Sequence, residues 1–278
     1  MRLGGPILVP TQTPDGWVAA LRELGYSAAA CPVGPDSPQS DKVEYRRAAQ
    51  RANIVIAEVG AWSNPICTDS AERAKTITSC QRRLALAEEM DARCCVNISG
   101  SRGQQWNGPD PANDSSETFD LIVETVRKIL DAVKPTRTFY ALEPMPWGLP
   151  DSPDSYLALM KAIDRKGFAV DLDAVNMINC PRRAYHTGDF LRECFAKLGP
   201  HIRCCHAKDI RLTQELIVHL DHCCPGEGVL DFHVFLKELA KLPPDTPVLL
   251  EHLGMAEEYQ AGANYIRKVA AETGTILR

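Results

Sequence analysis

Four short strand-like segments of this sequence each end in a side chain that can bind a metal ion. The four residues, in chain order, are Glu143, Asp173, His206 and Glu251. Grouping three carboxylates with one imidazole costs free energy unless a cation neutralises them. A mixed set of oxygen and nitrogen donors suits Mn²⁺, Mg²⁺ or Co²⁺ better than a metal that prefers thiolates. The residue types therefore predict a site for one divalent cation, provided that the fold brings the four side chains together.

The elements that carry these residues alternate regularly between strands and helices. Strands are predicted at residues 7–10, 26–31, 53–59, 93–98, 138–142, 168–172, 202–205 and 248–250. Helices are predicted at residues 17–24, 41–52, 70–90, 116–133, 152–165, 189–198, 232–240 and 256–273. Strands that alternate with helices favour parallel pairing through right-handed crossovers. Eight such units in 278 residues predict a single (β/α)8 TIM barrel that occupies residues 1–278 as one domain.

A doubly wound sheet is the main alternative fold. Its nucleotide-binding members carry a glycine-rich turn after the first strand, and residues 10–14 here read Pro-Thr-Gln-Thr-Pro. In a barrel, by contrast, the carboxyl ends of the strands form one mouth, where active groups lie. The barrel therefore places all four metal-binding side chains at the same opening.

The alternation of side chains along a strand indicates which residues face inward. A period of two places Ala141 with Glu143, Cys204 with His206, and Leu249 with Glu251 on one side of their strands. Asp171 has the same parity as Asp173 and is an alternative ligand. We favour Asp173 because it lies nearer the mouth.

The overall charge and composition exclude several classes of protein. The chain has 31 Lys and Arg against 36 Asp and Glu, a net charge of -5, so it lacks the basic footprint of a nucleic-acid-binding protein. It contains no apolar run of 18 residues and no apolar signal-peptide core near Met1, which predicts a cytoplasmic protein without a membrane span. The 11 cysteines are odd in number and form no C-x-x-C motif, which favours reduced, mostly buried thiols.

The segments around the four residues resemble the xylose isomerase-like TIM-barrel superfamily, in particular its sugar phosphate isomerases and epimerases. The resemblance rests on five segments: Leu142-Glu143-Pro144, Asp173-Ala174-Val175-Asn176, His206-Ala207-Lys208-Asp209, residues 225–231 (PGEGVLD) and Leu250-Glu251-His252. It implies that Glu143, Asp173, His206 and Glu251 bind one divalent metal ion. From the donor types we expect Mn²⁺ first, with Mg²⁺, Co²⁺ or Zn²⁺ as alternatives. The resemblance also implies that Glu143 and Glu251 exchange the substrate proton.

The resemblance implies an isomerase or epimerase that acts on a sugar, keto-sugar or related polyol through a cis-enediolate. The alternative in the same site is a dehydratase or lyase that eliminates a group from a keto-inositol or a 3-keto-glycoside. A third alternative is a barrel that binds a polyol without catalysis. The ketose epimerases carry a histidine three residues after the metal-binding aspartate, and Asn176 stands there in this chain. A homo-oligomer is compatible with the family.

Polar and aromatic residues near the predicted strand ends are candidates for substrate binding. They are Trp62, Asn64, Asn97, Arg102, Trp147, Asn176, Lys208, Arg211 and His219. Trp62 would stack on a sugar ring, Arg102 would bind an anionic group, and Lys208 or Arg211 would polarise a carbonyl or bind an anion. The structural alternatives are a loop-packing tryptophan, a solvated arginine and surface ion pairs with Asp209. His219 or His222 would serve as the general acid of an elimination.

Overall fold

Eight parallel strands close into a barrel in the computed structural model, which describes all residues from 1 to 278. The barrel strands are Arg2–Gly4 (β1), Ala28–Ala30 (β2), Val55–Gly60 (β3), Cys94–Asn97 (β4), Tyr140–Leu142 (β5), Phe168–Leu172 (β6), Ile202–Ala207 (β7) and Pro247–Leu250 (β10). Each pairs with its neighbours in the order β1-β10-β7-β6-β5-β4-β3-β2, and β1 closes the barrel against β2. This confirms the predicted single (β/α)8 barrel.

Helices follow the strands around the outside of the barrel. They are Pro14–Glu23 (α1), Gln39–Ala52 (α2), Ser70–Glu89 (α3), Ser116–Val133 (α4), Pro153–Ile163 (α5), Pro181–Tyr185 (α6), Thr187–Leu198 (α7), Phe232–Leu239 (α8) and Ala256–Thr273 (α9). Ser115 caps the N-terminus of α4, since its hydroxyl accepts a hydrogen bond from the Thr118 N–H at 3.2 Å. No helix combines the length and apolar character that a membrane crossing requires.

Small side chains fill the inside of the barrel. The interior core comprises Ala28, Ala57, Cys94, Val96, Ala141, Cys204 and Leu249. The inward direction predicted for Ala141, Cys204 and Leu249 is therefore confirmed. A separate, larger core of aliphatic and aromatic residues lies between the strands and the helices. All 11 cysteines are unpaired, and seven of them are buried.

One prediction about the elements is wrong, and one pair of strands was not predicted. The first strand is Arg2–Gly4 and not residues 7–10, where Leu8 and Val9 are exposed. The strand at residues 7–10 was predicted from apolar character alone. In the structure Arg2 pairs with Pro247 and Gly4 pairs with Ala28, so the first strand of the barrel lies at residues 2–4. The long connection after β7 also contains an antiparallel hairpin, Asp209–Leu212 (β8) with Leu220–Cys223 (β9), which no sequence pattern indicated.

An irregularity in β3 changes which of its side chains face inward. Ala29 pairs with Ile56 but Ala30 pairs with Glu58, so β3 has one extra residue, Ala57, at this point. An extra residue of this kind bends a strand and redirects the side chains that follow it. Ala57 belongs to the interior core, and Glu58 also points inward, where it contacts His206.

Candidate metal centre

The four predicted ligands meet at the carboxyl end of the barrel. Glu143 directly follows β5, Asp173 follows β6, His206 lies near the end of β7, and Glu251 follows β10. One potential ligand atom from each residue lies within 4.8 Å of the others. Glu143, Asp173 and His206 are buried, and the Glu251 side chain is 20% exposed. The structure thus brings together side chains that are up to 108 positions apart in the sequence.

The His206 imidazole lies at the centre of the group. Its Nδ1 is 3.0 Å from Glu251 Oε1, 3.4 Å from Glu143 Oε1 and 4.0 Å from Asp173 Oδ2. His206 Nδ1, Asp173 Oδ2 and Glu251 Oε1 are buried without a hydrogen bond of ordinary geometry. Buried polar atoms normally make hydrogen bonds, so potential ligand atoms that lack them and converge on one point fit a cation-binding site.

Lys208 provides a positive charge to the same carboxylates. Its side chain is buried, and its Nζ lies 2.5 Å from Asp173 Oδ2, 3.3 Å from Glu143 Oε1 and in contact with Glu251 Oε1. Burial alone would lower the pKa of Lys208, but the three carboxylates outweigh this effect and raise it. The ammonium group is therefore charged and occupied by ion pairs, rather than free to bind a substrate anion.

A second pair of acids lies on the other edge of the His206 ring. Nε2 is 3.1 Å from Glu58 Oε2 and 3.5 Å from Asp171 Oδ2. Both oxygens of Asp171 are buried without a hydrogen bond. Burial raises the pKa of Asp171 well above its usual range. Asp171 and Asp173 therefore contact opposite edges of His206, and only Asp173 belongs to the group with Glu143 and Glu251.

The local electrostatics leave an excess of negative charge. Five acids surround His206, namely Glu58, Glu143, Asp171, Asp173 and Glu251, and the neighbouring Lys208 adds one cation. Burial raises the pKa of Glu143, and the nearby Glu251 raises it further. Burial would also raise the pKa of Glu251, but His206 and Lys208 outweigh it and hold that pKa well below its usual range. A divalent cation bound by these residues would reduce the excess.

A cavity of about 490 Å³ opens above the four residues. Glu58, Glu143 and Glu251 border its floor, and Trp62, Trp106 and Trp147 border its rim. Trp62 and Trp147, both predicted to bind substrate, therefore border this cavity. The volume is within the range of about 300–1,000 Å³ that pockets for small molecules usually have.

Asn176 also borders the cavity, although its main contacts are within the protein. Its side-chain N–H donates to Glu143 Oε1 at 2.8 Å and to the Pro144 carbonyl at 3.1 Å. Its backbone N–H donates to Asp173 Oδ1 at 3.1 Å. Asn176 therefore orients two of the four predicted ligands, and its side-chain oxygen accepts a hydrogen bond from Lys208 Nζ at 3.4 Å.

Three other predicted substrate-binding residues have structural contacts instead. Asn97 is fully buried, and its amide N–H donates to Tyr140 Oη at 3.3 Å. The Asn64 side chain bonds to the backbone of Ser101, and the Arg102 guanidinium donates to the Ile66 carbonyl. None of Asn64, Asn97 and Arg102 lines the cavity. Their hydrogen bonds organise the loops around the mouth instead of facing a substrate.

The hairpin after β7 carries the remaining predicted residues away from the cavity. Arg211 lies 3.7 Å from Glu227 in an exposed ion pair, and His219 lies 3.7 Å from Glu215 at the exposed end of the hairpin. His222 is exposed, with its ring centre 6.3 Å from that of His252. The hairpin thus places Arg211 and His219 outside the cavity, a position that sequence spacing could not indicate.

Asp209 holds the backbone conformation of residues 225–231. Its buried carboxylate accepts hydrogen bonds from the backbone N–H groups of Ile210, Gly226, Gly228 and Leu230 at 2.8 to 3.0 Å. Asp209 therefore forms no surface ion pair with Lys208. It fixes the loop that returns the chain from the hairpin to α8.

Sequence reasoning missed three ionisable or aromatic residues that border the cavity: Glu58, Trp106 and His252. A carboxylate within the otherwise apolar segment 53–59 was a signal for Glu58, because such a charge needs a partner when buried. His252 has a left-handed backbone with φ of 58°, a conformation that is uncommon for residues other than glycine and is often found at functional positions. Trp106 lies in a long loop and had no local signal beyond its residue type.

Comparison with known proteins gives a family match for most of the chain. A family model described as xylose isomerase-like TIM barrel matches residues 18–269. No curated protein matches the sequence.

Several solved structures share the fold. One is a xylose isomerase-like TIM-barrel protein from Mycobacterium smegmatis in complex with magnesium, with 18% identity, a TM-score of 0.68, and coverage of 94% of this chain and 90% of that chain. Another is the probable 3-DHS dehydratase of petrobactin synthesis from Bacillus anthracis, with 18% identity, a TM-score of 0.71, and coverage of 95% and 98%. A third is 3-keto-D-glucoside 4-epimerase from E. coli, with 13% identity, a TM-score of 0.70, and coverage of 96% and 99%. Identities this low show similarity of fold alone.

Proposed function

The chain belongs to the xylose isomerase-like TIM barrels, and from this premise we propose that it is a divalent-metal-dependent isomerase or epimerase of a sugar, keto-sugar or related polyol. The observation that carries the proposal is the group of buried ligand atoms on Asp173, His206 and Glu251, which make no hydrogen bond of ordinary geometry and converge with Glu143 below an open cavity. A non-catalytic barrel would have no need to keep such a costly arrangement at the base of its cavity.

Glu143, Asp173, His206 and Glu251 would hold the ion, and Mn²⁺ is our first choice because the donors are mostly oxygens with one imidazole. Bound there, a divalent ion would polarise a substrate carbonyl and favour loss of a proton from the adjacent carbon. Asp173 and His206 do not border the cavity, whereas Glu143 and Glu251 do. We assign them to metal binding only.

Glu143 and Glu251 would transfer the proton. They project from β5 and β10, which are separated by β6 and β7 in the barrel wall, and both border the cavity. A substrate carbon between them would be reached by one carboxylate from each side, as removal and return of a proton on opposite faces requires. Asn176 would keep Glu143 in position through the 2.8 Å hydrogen bond, and Lys208 would limit repulsion between the two acids.

Elimination is the second candidate reaction. It would use the same proton removal but needs a general acid at the leaving group. His252 borders the cavity beside Glu251, whereas His219 is remote and His222 reaches the site only through its contact with His252. We therefore assign the acid of this alternative to His252 and not to His219.

A solvent-exchange experiment tests the proposal. The Mn²⁺-loaded protein in D₂O would be followed by NMR with ketoses, keto-inositols and 3-keto-glycosides, alongside a chelator-treated sample. We expect deuterium to enter one substrate at the carbon next to its carbonyl, with conserved mass apart from the label. Loss of water or of an aglycone would favour elimination. Binding without exchange across the panel would overturn both reactions and support a polyol-binding barrel.

A further inference from the structure

Three of the four tryptophans of this chain border the cavity. Trp62, Trp106 and Trp147 follow the neighbouring strands β3, β4 and β5, and they are 44%, 42% and 44% exposed. The fourth, Trp17, is buried in the outer core. Indole rings are large apolar surfaces whose exposure is costly, and an aromatic wall around a pocket marks a ligand-binding surface.

The wall lies on one side of the mouth. It extends from β3 to β5, whereas Glu251 and His252 border the cavity from the β10 side. A ligand whose reacting carbon lies between Glu143 and Glu251 would therefore reach the indoles only if it also extended towards β3 and β4.

Hydrogen bonds connect the loops that carry the three indoles. Asn64 joins the loop after β3 to the loop after β4, because its Oδ1 accepts from the Ser101 N–H at 3.1 Å and its Nδ2 donates to the Ser101 carbonyl at 2.6 Å. Trp147 Nε1 donates to the Asn107 carbonyl at 2.8 Å, which joins the loops after β4 and β5. The wall is therefore preorganised, and preorganised surfaces bind with a smaller loss of conformational entropy.

Glycine at position 60 is part of this arrangement. A side chain there would collide with the Trp62 indole, which folds back over the end of β3. The space left by Gly60 allows the indole to lie beside the cavity instead of extending into solvent.

The charges around the cavity are unsuited to an anionic ligand. No lysine or arginine borders it, while Glu58, Glu143 and Glu251 do. Lys208 is 3% exposed and paired with carboxylates below the floor. The Arg102 guanidinium donates to the Ile66 carbonyl, and Arg211 pairs with Glu227. A phosphate group would find no free cationic side chain here, although phosphate sites in proteins usually provide one or more.

We infer that the ligand of this cavity is an uncharged glycoside, with its sugar ring above the carboxylates and its aglycone, an aromatic ring or a second sugar, against Trp62, Trp106 and Trp147. This deepens the proposed function and rests on it for the placement of the sugar. A sugar phosphate or a free monosaccharide would leave the aromatic wall uncovered. The anomeric carbon of a glycoside is bonded to the aglycone and cannot be the carbonyl. The glycoside that reacts would therefore carry its carbonyl at another carbon of the sugar ring.

Binding measurements without turnover test this inference. Calorimetry on the Mn²⁺-loaded full chain would compare phenyl and methyl β-glycosides of glucose, galactose and xylose, and glucose with glucose 6-phosphate. We expect one phenyl glycoside to bind about tenfold or more tightly than its methyl counterpart, and glucose 6-phosphate to bind no more tightly than glucose. Tenfold corresponds to about 1.4 kcal/mol. Equal binding of every phenyl and methyl pair, absence of binding by all phenyl glycosides, or preference for the phosphate would overturn the inference.

Variants would show which residues cause the tighter binding of the phenyl glycoside. Trp106→Ala and Trp147→Ala should each remove most of the gain from the phenyl group, while Tyr185→Ala, an exposed aromatic residue outside the cavity, should leave it unchanged. Retention of the gain in both tryptophan variants would contradict the inference. Circular dichroism would confirm that each variant is folded.

The inference and the proposed function can fail separately. Tight binding of a phenyl glycoside, with no deuterium exchange in any keto-sugar, would leave the aromatic site in place and remove the reaction. Deuterium exchange in a sugar phosphate, with no preference for phenyl glycosides, would support the proposed reaction and overturn the inference about the aromatic wall.

Discussion

Glu58 Oε2 lies 3.1 Å from His206 Nε2, across the interior of the barrel from β3 to β7. The opposite nitrogen, Nδ1, faces Glu143 and Glu251. A carboxylate that accepts the second N–H of a metal-binding histidine fixes its ring orientation and tautomer. Glu58 is thus a positioning residue for the proposed metal ligand, and its inward direction follows from the extra residue in β3.

Replacing Glu58 should weaken metal binding. Glu58→Gln preserves the shape of the side chain but removes the charge that supports the imidazole, and we expect about 10-fold to 100-fold weaker Mn²⁺ binding. A chelator competition assay would measure the Kd, and the visible spectrum of the Co²⁺ form would report a changed ligand arrangement. Glu72→Gln, on the exposed surface of α3, is the matched control. An unchanged Kd and spectrum in Glu58→Gln would exclude the positioning role.

The two proposed proton-transfer residues should both be essential. At saturating Mn²⁺ and substrate, Glu143→Gln and Glu251→Gln should each lower the rate of deuterium exchange about 100-fold or more, because an amide cannot remove the proton. Glu227→Gln, an exposed change in the loop before α8, should retain the rate. NMR would follow the exchange, and metal analysis would confirm loading. Near-normal exchange in both active-site variants would rule out this mechanism.

Lys208 competes with the metal for the same carboxylates. Because its ammonium contacts Asp173 and Glu251, removing it should tighten Mn²⁺ binding about tenfold and destabilise the metal-free protein through repulsion between acids. Lys208→Met keeps much of the side-chain volume. Chelator competition would measure the Kd, and thermal unfolding with and without Mn²⁺ would measure stability. Weaker metal binding together with unchanged metal-free stability would show that the lysine does not act as a competing cation. Lys237→Met on α8 is a control for loss of a lysine elsewhere.

Glu88 gives a prediction for acid stability that is independent of the metal. Partial burial would raise the pKa of Glu88, but the Thr136 hydroxyl and the backbone N–H groups of Thr136, Arg137 and Thr138 outweigh it and lower that pKa to about 2. A lowered pKa contributes stability that is present above the unfolded value of about 4.3 and is lost as the pH falls towards 2.

Glu88→Gln should therefore cost about 2 kcal/mol in the free energy of unfolding at pH 7. The difference from the original protein should shrink below pH 4.3. Urea unfolding between pH 7 and pH 3 would measure both values. Glu124→Gln, which affects only an exposed helical ion pair with Lys128, should change stability by less than about 0.5 kcal/mol throughout. A constant difference at all pH values would contradict the assignment of this effect to the Glu88 carboxylate.

Much of the site could be predicted because it depends on local pattern. Glu143, Asp173, His206 and Glu251 each lie at or just beyond the end of a strand, and alternation along each strand fixes the side that they face. The choice of Asp173 over Asp171 followed from distance to the mouth, and the structure puts these residues on opposite edges of the His206 ring. The roles of the loop residues were less predictable. The side chains of Asn97 and Arg102 could hydrogen-bond a substrate or other groups of the protein, and residue type does not distinguish these roles until the neighbours are known.

Local sequence pattern was enough to predict the eightfold repeat of strands and helices and the four potential ligands at the strand ends, because periodicity and residue type act within a few neighbouring positions. Four features became visible in the folded protein alone. Strand β1 begins at Arg2, and Glu58 points inward. Lys208 is paired with buried acids, and three indoles border one cavity. Each of these depends on contacts between residues far apart in the chain, such as the pairing of β2 with β3, and no local pattern encodes them.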